Sequence, residues 1–275
     1  MLFNVNEAID NYVTASVAKS NAKLPSMIVK AFFAGMFIAL GAAGSNVAAH
    51  NIANVGLARL TAAVVFPVGL MMVILLGAEL FTGDCLVVMA VPDKHIKVFD
   101  FIRILAVVFV GNLIGAFFVA LMAKLSGQFD YSSGLLGAYT IKVALGKVNL
   151  SFGTAFVSGI LCNILVAGAV LMAGCAKDVT GKIFVSFFVI MLFVTSGYEH
   201  CVANMYYIVA GLLAKTNPAY VQAAMDAYGM SSDSLNNLNV FGFLVKNLIP
   251  VTLGNIVGGS FVLGLPLYFI NRGKR

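Results

Sequence analysis

The sequence predicts an all-α integral membrane protein with six transmembrane helices, arranged as an inverted 3+3 repeat with two broken helices. The first observation is compositional: 61% of the 275 residues are hydrophobic, 10% are charged, and the mean hydropathy is +0.98. This composition cannot supply the polar surface of a water-soluble domain. The second is six long apolar runs, and the third is a polar interruption within two of them.

The six apolar runs are each long enough for a membrane crossing, which needs roughly 20 apolar residues. They cover residues 24–49, 60–91, 101–125, 152–176, 183–214 and 241–271. We therefore expect one channel domain at residues 24–271, followed by a short basic cytoplasmic tail at residues 272–275.

Residues 1–23 precede the first span and are predicted to form an amphipathic helix at the cytoplasmic surface. Asn4 and Glu7 have the spacing of a capping box, which favours a helix start at this point. One face of this helix is apolar, and such helices often lie at a membrane surface; its residues are Val5, Ile9, Tyr12, Val13 and Val17. The segment lacks a cationic start followed by an apolar core, so no cleavable signal peptide is expected.

The distribution of Lys and Arg predicts the orientation, because positive residues concentrate at the cytoplasmic ends of spans. Eleven of the 17 Lys and Arg residues fall on the side of the two termini. The six on the other side are Arg59, Lys124, Lys142, Lys147, Lys215 and Lys246. Both termini are thus expected in the cytoplasm. The net charge of +6 follows from this bias, so no nucleic-acid partner is expected.

The two polar interruptions lie in corresponding spans of the two halves. "GAELFTGD" (77–84) interrupts the second span, and "TSGYEHCVAN" (195–204) interrupts the fifth. The flanking spans also match, since "AFFAG" at Ala31 resembles "AFVSG" at Ala155 and "GNLIG" at Gly111 resembles "GNIVG" at Gly254. Inverted repeats with discontinuous helices build transport sites near the bilayer midplane.

Residues at the interruptions are expected to satisfy backbone groups that a broken helix leaves free, because unpaired amides in lipid are costly. We expect Glu79 and Glu199 to cap such groups, a structural role rather than substrate contact. Gly83 is expected to provide the turn, since glycine adopts conformations that strain other residues.

His200 is the histidine placed deep in a span, and an ionisable group there tends to mark an ion or proton pathway. The alternative is a buried packing histidine. Packing is the favoured role for the four cysteines, which are Cys85, Cys162, Cys175 and Cys201, because their spacing fits no metal site. We predict neither a metal nor another cofactor.

The interruptions and two further stretches resemble the formate/nitrite transporter family of bacterial inner-membrane channels. The matching stretches are "GAELFTGD", "GILCNILV" (159–166), "SGYEHCVANMY" (196–206) and "NLIPVTLGNIVGG" (247–259). The resemblance implies a homopentamer of aquaporin-like protomers in the lipid bilayer, each with a pore for a small monovalent anion. Within the family, the chain most resembles the bacterial hydrosulfide channels. The small-residue faces "GNLIG" and "GNIVGG" permit close helix packing in such an assembly.

The resemblance also implies roles for individual polar residues. It places His200 at the pore centre facing Thr82, Lys147 at an outer vestibule, and Asn163 along the pore. Lys147 has an alternative reading as a flanking lysine that reaches the headgroups, and Asn163 as a polar contact between helices. The chain departs from the family at Asp84, where Asn is common, and at Cys201, where Ser is frequent.

The same resemblance implies two apolar constrictions around the central chamber, formed by Phe66, Leu70, Leu80, Phe81 and Phe193. A dry ring penalises an anion far more than its neutral acid. The predicted function is therefore a channel for hydrosulfide, formate or nitrite, hydrosulfide being favoured, in which the anion gains a proton before or at the His200 chamber.

Three other functions are weighed against this one. A neutral-solute channel of aquaporin type lacks its paired NPA signatures here. A membrane enzyme using Glu79, Glu199 and His200 lacks HExxH and nucleotide-loop motifs, so no enzyme activity is predicted. A structural assembly protein without conduction is the third, and flux of small acids into liposomes distinguishes it.

Overall fold

A computed structural model describes residues 2–272 of the chain and folds them into helices. Within this range six helices are long and apolar enough to cross a membrane, and they are Leu24–Ala49, Val55–Leu76, Val98–Leu125, Phe152–Cys175, Val179–Ser196 and Gly242–Asn271. The predicted six-span, all-α membrane fold is confirmed. Residues 273–275, most of the expected basic tail, lie outside the described residues.

The first half of the chain contains six α-helices and one 3-10 segment. In order, these are α1 (Val5–Ser20), α2 (Leu24–Ala49), α3 (Val55–Val65), α4 (Val68–Leu76), α5 (Phe81–Asp84), the 3-10 segment Cys85–Ala90, and α6 (Val98–Leu125). Pro67 separates α3 from α4, since proline removes a backbone donor within a helix. The second span is thus α3–α4, and α5 with its 3-10 extension follows the break.

The second half repeats this order with extra helices on the side opposite α1. After the 3-10 segment Gln128–Asp130 come α7 (Leu135–Val148), α8 (Phe152–Cys175), α9 (Val179–Ser196), α10 (Cys201–Ala214), α11 (Pro218–Tyr228) and α12 (Ser232–Leu235). The last span is made of the π-helical segment Gly242–Leu248, α13 (Ile249–Ile256), the π-helical segment Val257–Gly264, and α14 (Leu265–Arg272).

Glycines in the repeated motifs pack the spans against one another inside the protomer. A Cβ atom on Gly115 would lie 2.0 Å from Phe32 O of α2, and one on Gly254 would lie 2.1 Å from Phe156 O of α8. Only glycine allows the helices to approach this closely. The expectation that these small-residue faces pack subunits together is therefore wrong, because they are occupied within the chain.

The turns that break the two helices are made by glycines two residues before each glutamate. Gly77 ends α4 with φ 68°, and Gly197 ends α9 with φ 72°, both in the left-handed region. Gly83 was expected to make this turn, but it lies inside α5. The expectation fails because the chain reverses before α5 begins and not within it.

Helix α1 has the predicted capping box: Asn4 Oδ1 accepts from Glu7 N over 2.9 Å, and Glu7 Oε2 accepts from Asn4 N over 2.8 Å. Most of its apolar face is buried against protein, with Ile9 and Val13 in the main core, Tyr12 and Val17 partly buried, and Val5 exposed. The helix therefore docks on α8 and residues 85–90, and its position at the cytoplasmic surface stays a prediction.

Candidate functional site

Asn112 of α6 holds the first break together. Its Oδ1 accepts from Phe81 N at the start of α5 over 2.9 Å. Its Nδ2 donates to Ala31 O of α2 over 2.7 Å and to Glu79 O over 2.9 Å. One buried amide therefore satisfies a backbone donor and an acceptor at the break and ties both to a continuous span, as buried polar groups require.

Asn255 of α13 does the same for the second break. Its Oδ1 accepts from Cys201 N over 2.9 Å, and its Nδ2 donates to Gly159 O over 2.8 Å and to Glu199 O over 3.0 Å. The expectation that Glu79 and Glu199 cap free backbone N–H groups is thus wrong. A neutral amide supplies both a donor and an acceptor, whereas a carboxylate supplies acceptors alone.

The two breaks meet at Thr82 and His200. Thr82 Oγ1 and His200 Nε2 lie 3.0 Å apart, and both side chains are buried. His200 also caps α10, because its Nδ1 accepts from Ala203 N over 3.1 Å. With Nδ1 acting as an acceptor, the ring proton of neutral imidazole lies on Nε2. The ring therefore donates to Thr82, and the threonine hydroxyl proton is free for another acceptor.

Apolar side chains pack around this polar contact. The rings of Phe66 and Phe193 meet edge to face with centroids 5.5 Å apart, and the Phe193 centroid lies 5.9 Å from that of His200. Leu70 and Leu80 are likewise buried. All five residues predicted as constrictions, Phe81 included, are thus buried.

Phe81 differs from the other four. Its ring packs edge to face on Phe109 of α6, with centroids 5.3 Å apart, and borders an outer groove beside Phe101 and Ile256. The constriction role of Phe81 stays a prediction. We call the hydrogen bonds that Asn112 and Asn255 make to the two breaks the asparagine clamps. The backbone N–H of Phe81 donates to Asn112 in the first clamp, and the Phe81 side chain packs on α6.

A cavity of about 150 Å³ opens on the side of α7, and we call it the Lys147 cavity. Its lining includes Lys147, His200, Phe66, Phe193 and Tyr207. Lys147 Nζ lies 5.2 Å above the Tyr207 ring. The predicted lysine thus stands in the same cavity as the central histidine.

Lys147 does not stand there as a free cation. Its Nζ donates to Glu199 Oε1 over 2.9 Å, and their side chains are 16% and 7% exposed. Asn204 Nδ2 donates to Glu199 Oε2 over 2.6 Å, and Asn247 Nδ2 approaches the same oxygen at 3.4 Å. This cluster, which we call the outer cluster after the orientation proposed for it in the next subsection, therefore has one ammonium, one carboxylate and two neutral amides.

A larger cavity of about 590 Å³ opens on the side of α1, and we call it the Lys19 cavity. Lys19 Nζ lies 2.5 Å from Glu79 Oε2 and is also bonded to Asp84 Oδ1. Burial alone lowers the pKa of Lys19, but the attraction of Asp84 and Glu79 outweighs burial, so that pKa lies above its ordinary value. The lysine is therefore charged at physiological pH.

Helix α1 closes part of this cavity. Tyr12 donates its hydroxyl proton to Gly83 O over 2.8 Å, and Arg103 donates to Ser20 O at the end of the helix. Burial raises the pKa of Tyr12 above its ordinary value, so the phenol remains a donor. Neither Tyr12 nor Lys19 was predicted as part of the site.

Asn163 of α8 lines neither of the two cavities described above. Its Nδ2 donates to Thr82 O over 3.1 Å and to Asn255 O over 2.7 Å. These bonds join the two halves of the repeat at the centre. In this structure Asn163 therefore makes the helix-to-helix contact that the sequence offered as the alternative to a pore-lining position.

The described residues also bear on metal chemistry. Among residues 2–272 there is no group of three or more His, Cys, Asp or Glu side chains arranged to hold a metal ion. Cys85, Cys162 and Cys201 are free and buried, and Cys175 is partly buried.

Six spans, an inverted repeat and two clamped helix breaks that meet between two cavities define a multi-pass membrane protein of the channel and transporter class. The chain belongs to the formate/nitrite transporter family, because the family profile described as "Formate/nitrite transporter" matches residues 6–269. Family members of this kind are transport proteins and not enzymes.

Individual relatives agree with the family match. The chain is 41% identical to the formate channel FocA of Haemophilus influenzae over 212 residues, which covers 76% of this chain and 73% of that protein. It is 36% identical to a probable formate transporter of Methanothermobacter thermautotrophicus, over 88% of this chain and 87% of that one.

Solved structures extend the likeness to the fold. A structure described as "Pentameric formate channel with formate bound" superposes with a TM-score of 0.81 at 31% identity, covering 90% of this chain and 97% of that chain. One described as "FNT family ion channel" gives a TM-score of 0.81 at 26% identity, covering 96% and 98%. The predicted architecture of an inverted repeat with broken helices is thus confirmed.

Proposed function

We propose that the protein conducts small monovalent anions of weak acids across a bacterial inner membrane, as a homopentamer with one pathway in each protomer. Both termini lie in the cytoplasm in this proposal, which makes the Lys19 cavity the inner end and the Lys147 cavity the outer end. The proposal is carried by one observation: the Thr82–His200 contact, 3.0 Å long, joins His200, which lines the Lys147 cavity, to the neighbour of Gly83, which lines the Lys19 cavity.

The lysines of the two cavities attract the substrate. A charged group in a cleft with low-dielectric walls raises the local concentration of its counter-ion. Both lysines are paired with carboxylates, which weaken their attraction for an anion, so a bound anion can leave again. Selectivity for anions over cations then resides at the cavities and not in the apolar layer.

The apolar layer of Phe66, Leu70, Leu80 and Phe193 sets the form in which the substrate passes. Taking an unpaired anion out of water into an apolar ring is costly, and the neutral acid of the same anion meets a far smaller penalty. The anion therefore gains a proton before it crosses. At the centre, Thr82 and His200 provide hydrogen-bond donors that replace lost water.

The fixed tautomer of His200 limits its role. Ala203 N lies 3.1 Å from His200 Nδ1 and donates to it. A proton on Nδ1 would therefore repel the proton of the Ala203 N–H. The ring therefore acts as a neutral donor through Nε2, and the transferred proton comes from another group or from solvent.

Formate is the first substrate to test, because the named relatives are formate channels and transporters. Hydrosulfide, which the sequence resemblance favoured, and nitrite have the same charge and are small weak-acid anions. Stopped-flow uptake of each anion into proteoliposomes that contain the purified protein ranks them directly. Uptake of small neutral solutes in place of the anions would support an aquaporin-like function, and no flux at all would support an assembly protein.

His200→Asn tests the central donor. Because the structure holds the ring neutral, we expect the variant to slow formate uptake by a similar factor at every pH between about 5 and 8, the range in which histidine ordinarily titrates. His95→Asn, at an exposed histidine, is the matched control and should leave uptake unchanged. A variant with the wild-type rate would remove His200 from the pathway, and a changed pH profile would show that its ring titrates. Native mass spectrometry of both variants checks for the pentamer.

A further inference from the structure

The two breaks differ in one acid. Glu79 and Glu199 stand at equivalent positions, two residues after the turn glycines. Asp84 follows Glu79 at the same spacing at which Asn204 follows Glu199, so Asp84 and Asn204 occupy equivalent positions in the two halves. Asn204 donates to Glu199, so the outer cluster is neutral overall. The inner cluster has a carboxylate where its counterpart has an amide.

Because of this acid, two carboxylates of the inner cluster share the ammonium group of Lys19. Among residues 2–272, Lys19 is the cation bonded to both Glu79 and Asp84, and Lys30 reaches Glu79 only at 3.9 Å from a mostly exposed position. Asp84 is 2% exposed, and its Oδ2 has no hydrogen-bond partner within the described part of the chain. An uncompensated buried charge is costly, and binding one proton removes it.

The position of Asp84 places that proton on the pathway. Asp84 lines the Lys19 cavity, and it lies on α5 two residues after Thr82. A proton relay through His200 would need Nδ1 to take up a proton after Nε2 has given one away. Nδ1 cannot do so while it accepts the hydrogen bond from Ala203 N. Along the chain, Asp84 is the carboxyl group closest to Thr82, two residues away, whereas Glu79 is three residues away.

We propose that Asp84 is the proton-exchanging residue at the inner end of the pathway, an inference that rests on the proposed function. The carboxyl group gives its proton to an anion that arrives from the inner cavity, which yields the neutral acid and the Asp84 carboxylate. Solvent in the cavity then reprotonates the carboxylate. In the opposite direction, Asp84 accepts the proton from the neutral acid and releases it to the inner side.

The other charged and titratable groups that surround Asp84 are identified by element. They are Tyr12 and Lys19 of α1, Lys30 of α2, Glu79 of the first break, Cys85 of the 3-10 segment and Lys182 of α9. Of these, Lys19 and Tyr12 keep their protons at physiological pH for the reasons given above. Glu79 is bonded to Lys19 and differs from Asp84 in having both oxygens within reach of a lysine.

Asp84→Asn tests the proposal, because it turns the inner cluster into a copy of the outer one. At low pH the wild type has the donor and is faster, whereas at high pH the wild type has a repelling carboxylate. The ratio of variant to wild-type formate uptake should therefore rise by roughly threefold or more from about pH 5 to pH 8, since a local charge changes substrate concentration at least that much. The fraction of formate present as neutral formic acid also changes with pH, but it changes equally for both proteins and therefore cancels in the ratio.

Two variants serve as controls. Asp178→Asn removes an exposed carboxylate on the same side, where Asn caps α9 equally well, and its ratio should stay flat. Asp84→Glu keeps a carboxyl group and should keep the wild-type profile. A flat ratio for Asp84→Asn in a correctly assembled pentamer would overturn the proposal.

Infrared difference spectroscopy of the purified pentamer separates this inference from the proposed function, because it needs no transport. We expect a carboxyl band that titrates in the wild type and in Asp178→Asn and is lost in Asp84→Asn. Absence of flux in the wild type would overturn the proposed function, and the band would still show whether Asp84 binds a proton. Absence of the band would overturn the inference even where flux is normal.

Discussion

The two helix breaks use the same backbone contacts and different charges. In each, a left-handed glycine ends the first helix, and an asparagine from a neighbouring span bonds the N–H and C=O groups of the break. The charged clusters beside them are unlike, with two carboxylates on Lys19 and one on Lys147. The fold thus fixes the backbone of both breaks, while the charge at each end is free to differ.

The origin of the lysines explains this freedom. Lys147 comes from α7 and Lys19 from α1, the helices that precede the first span of each half and lie outside the three repeated spans. The residue after each glutamate also differs, being Leu80 in one half and His200 in the other. The centre therefore receives its hydroxyl from the first half and its imidazole from the second.

Removing either asparagine clamp, at Asn112 or at Asn255, should have the largest effect on stability. Asn112→Leu and Asn255→Leu each leave a buried N–H and two carbonyls without their side-chain partner, at about 1–3 kcal/mol per unsatisfied group. We expect each variant to lose about 3 kcal/mol or more of stability, seen as a lower thermal midpoint of the pentamer in detergent. Similar losses at both sites would support equivalent clamps.

Asn21→Leu is the matched control, because Asn21 is exposed at the end of α1 and bonds only within its own helix. Its midpoint should change little. If one clamp variant melted like the wild type, the comparison would fail, and the two breaks would be held by different contacts.

An intermediate effect is expected at the charge pair of Lys147 and Glu199. Lys147→Met leaves Glu199 as an uncompensated carboxylate in the Lys147 cavity, so anions should be repelled and uptake should fall by about tenfold at low ionic strength. The double variant Lys147→Met/Glu199→Gln removes that charge and should recover part of the rate. Salt screens charges, so the loss should shrink in high salt. Equal slowing at all salt concentrations would indicate a structural role for Lys147.

The smallest effect is expected at the turn glycines. Gly77→Ala and Gly197→Ala each force alanine into the left-handed region, at about 1 kcal/mol. At Gly197 a Cβ atom would also lie 2.6 Å from Arg59 Nη1, whereas no heavy atom of the described residues lies within 4 Å at Gly77. The thermal midpoint should therefore fall slightly more for Gly197→Ala. The reverse order would show that the flexible Arg59 side chain moves aside without cost.

Much of the architecture was accessible from the sequence. Hydropathy located the six spans, and the interruptions around Glu79 and Glu199 located the two breaks, because both signals are local. The asparagines of "GNLIG" and "GNIVG" were in view as part of the repeat, yet their role was given to the glutamates. Two glycines at the same spacing before Glu79 and Glu199 were a further available signal for the turns.

The charge clusters could not be predicted in the same way. Lys19 is distant in sequence from Glu79 and Asp84, and an amphipathic α1 is compatible with lipid as well as with protein. Its partners follow from how α1 docks, which is a tertiary contact. The pairing of Lys147 with Glu199 likewise needs the packing of α7 on α10, and no periodicity in the sequence encodes it.

The way α1 is fastened has a practical consequence for handling the protein. Phe3 N donates to Cys175 O over 2.9 Å, and Lys177 Nζ lies 4.1 Å above the Phe3 ring. These contacts fix the start of the helix to the loop between α8 and α9. An affinity tag or fluorescent fusion placed ahead of Leu2 would thus emerge at a fixed point close to the Lys19 cavity and crowd its entrance. Labels for purification and imaging belong at the carboxyl end.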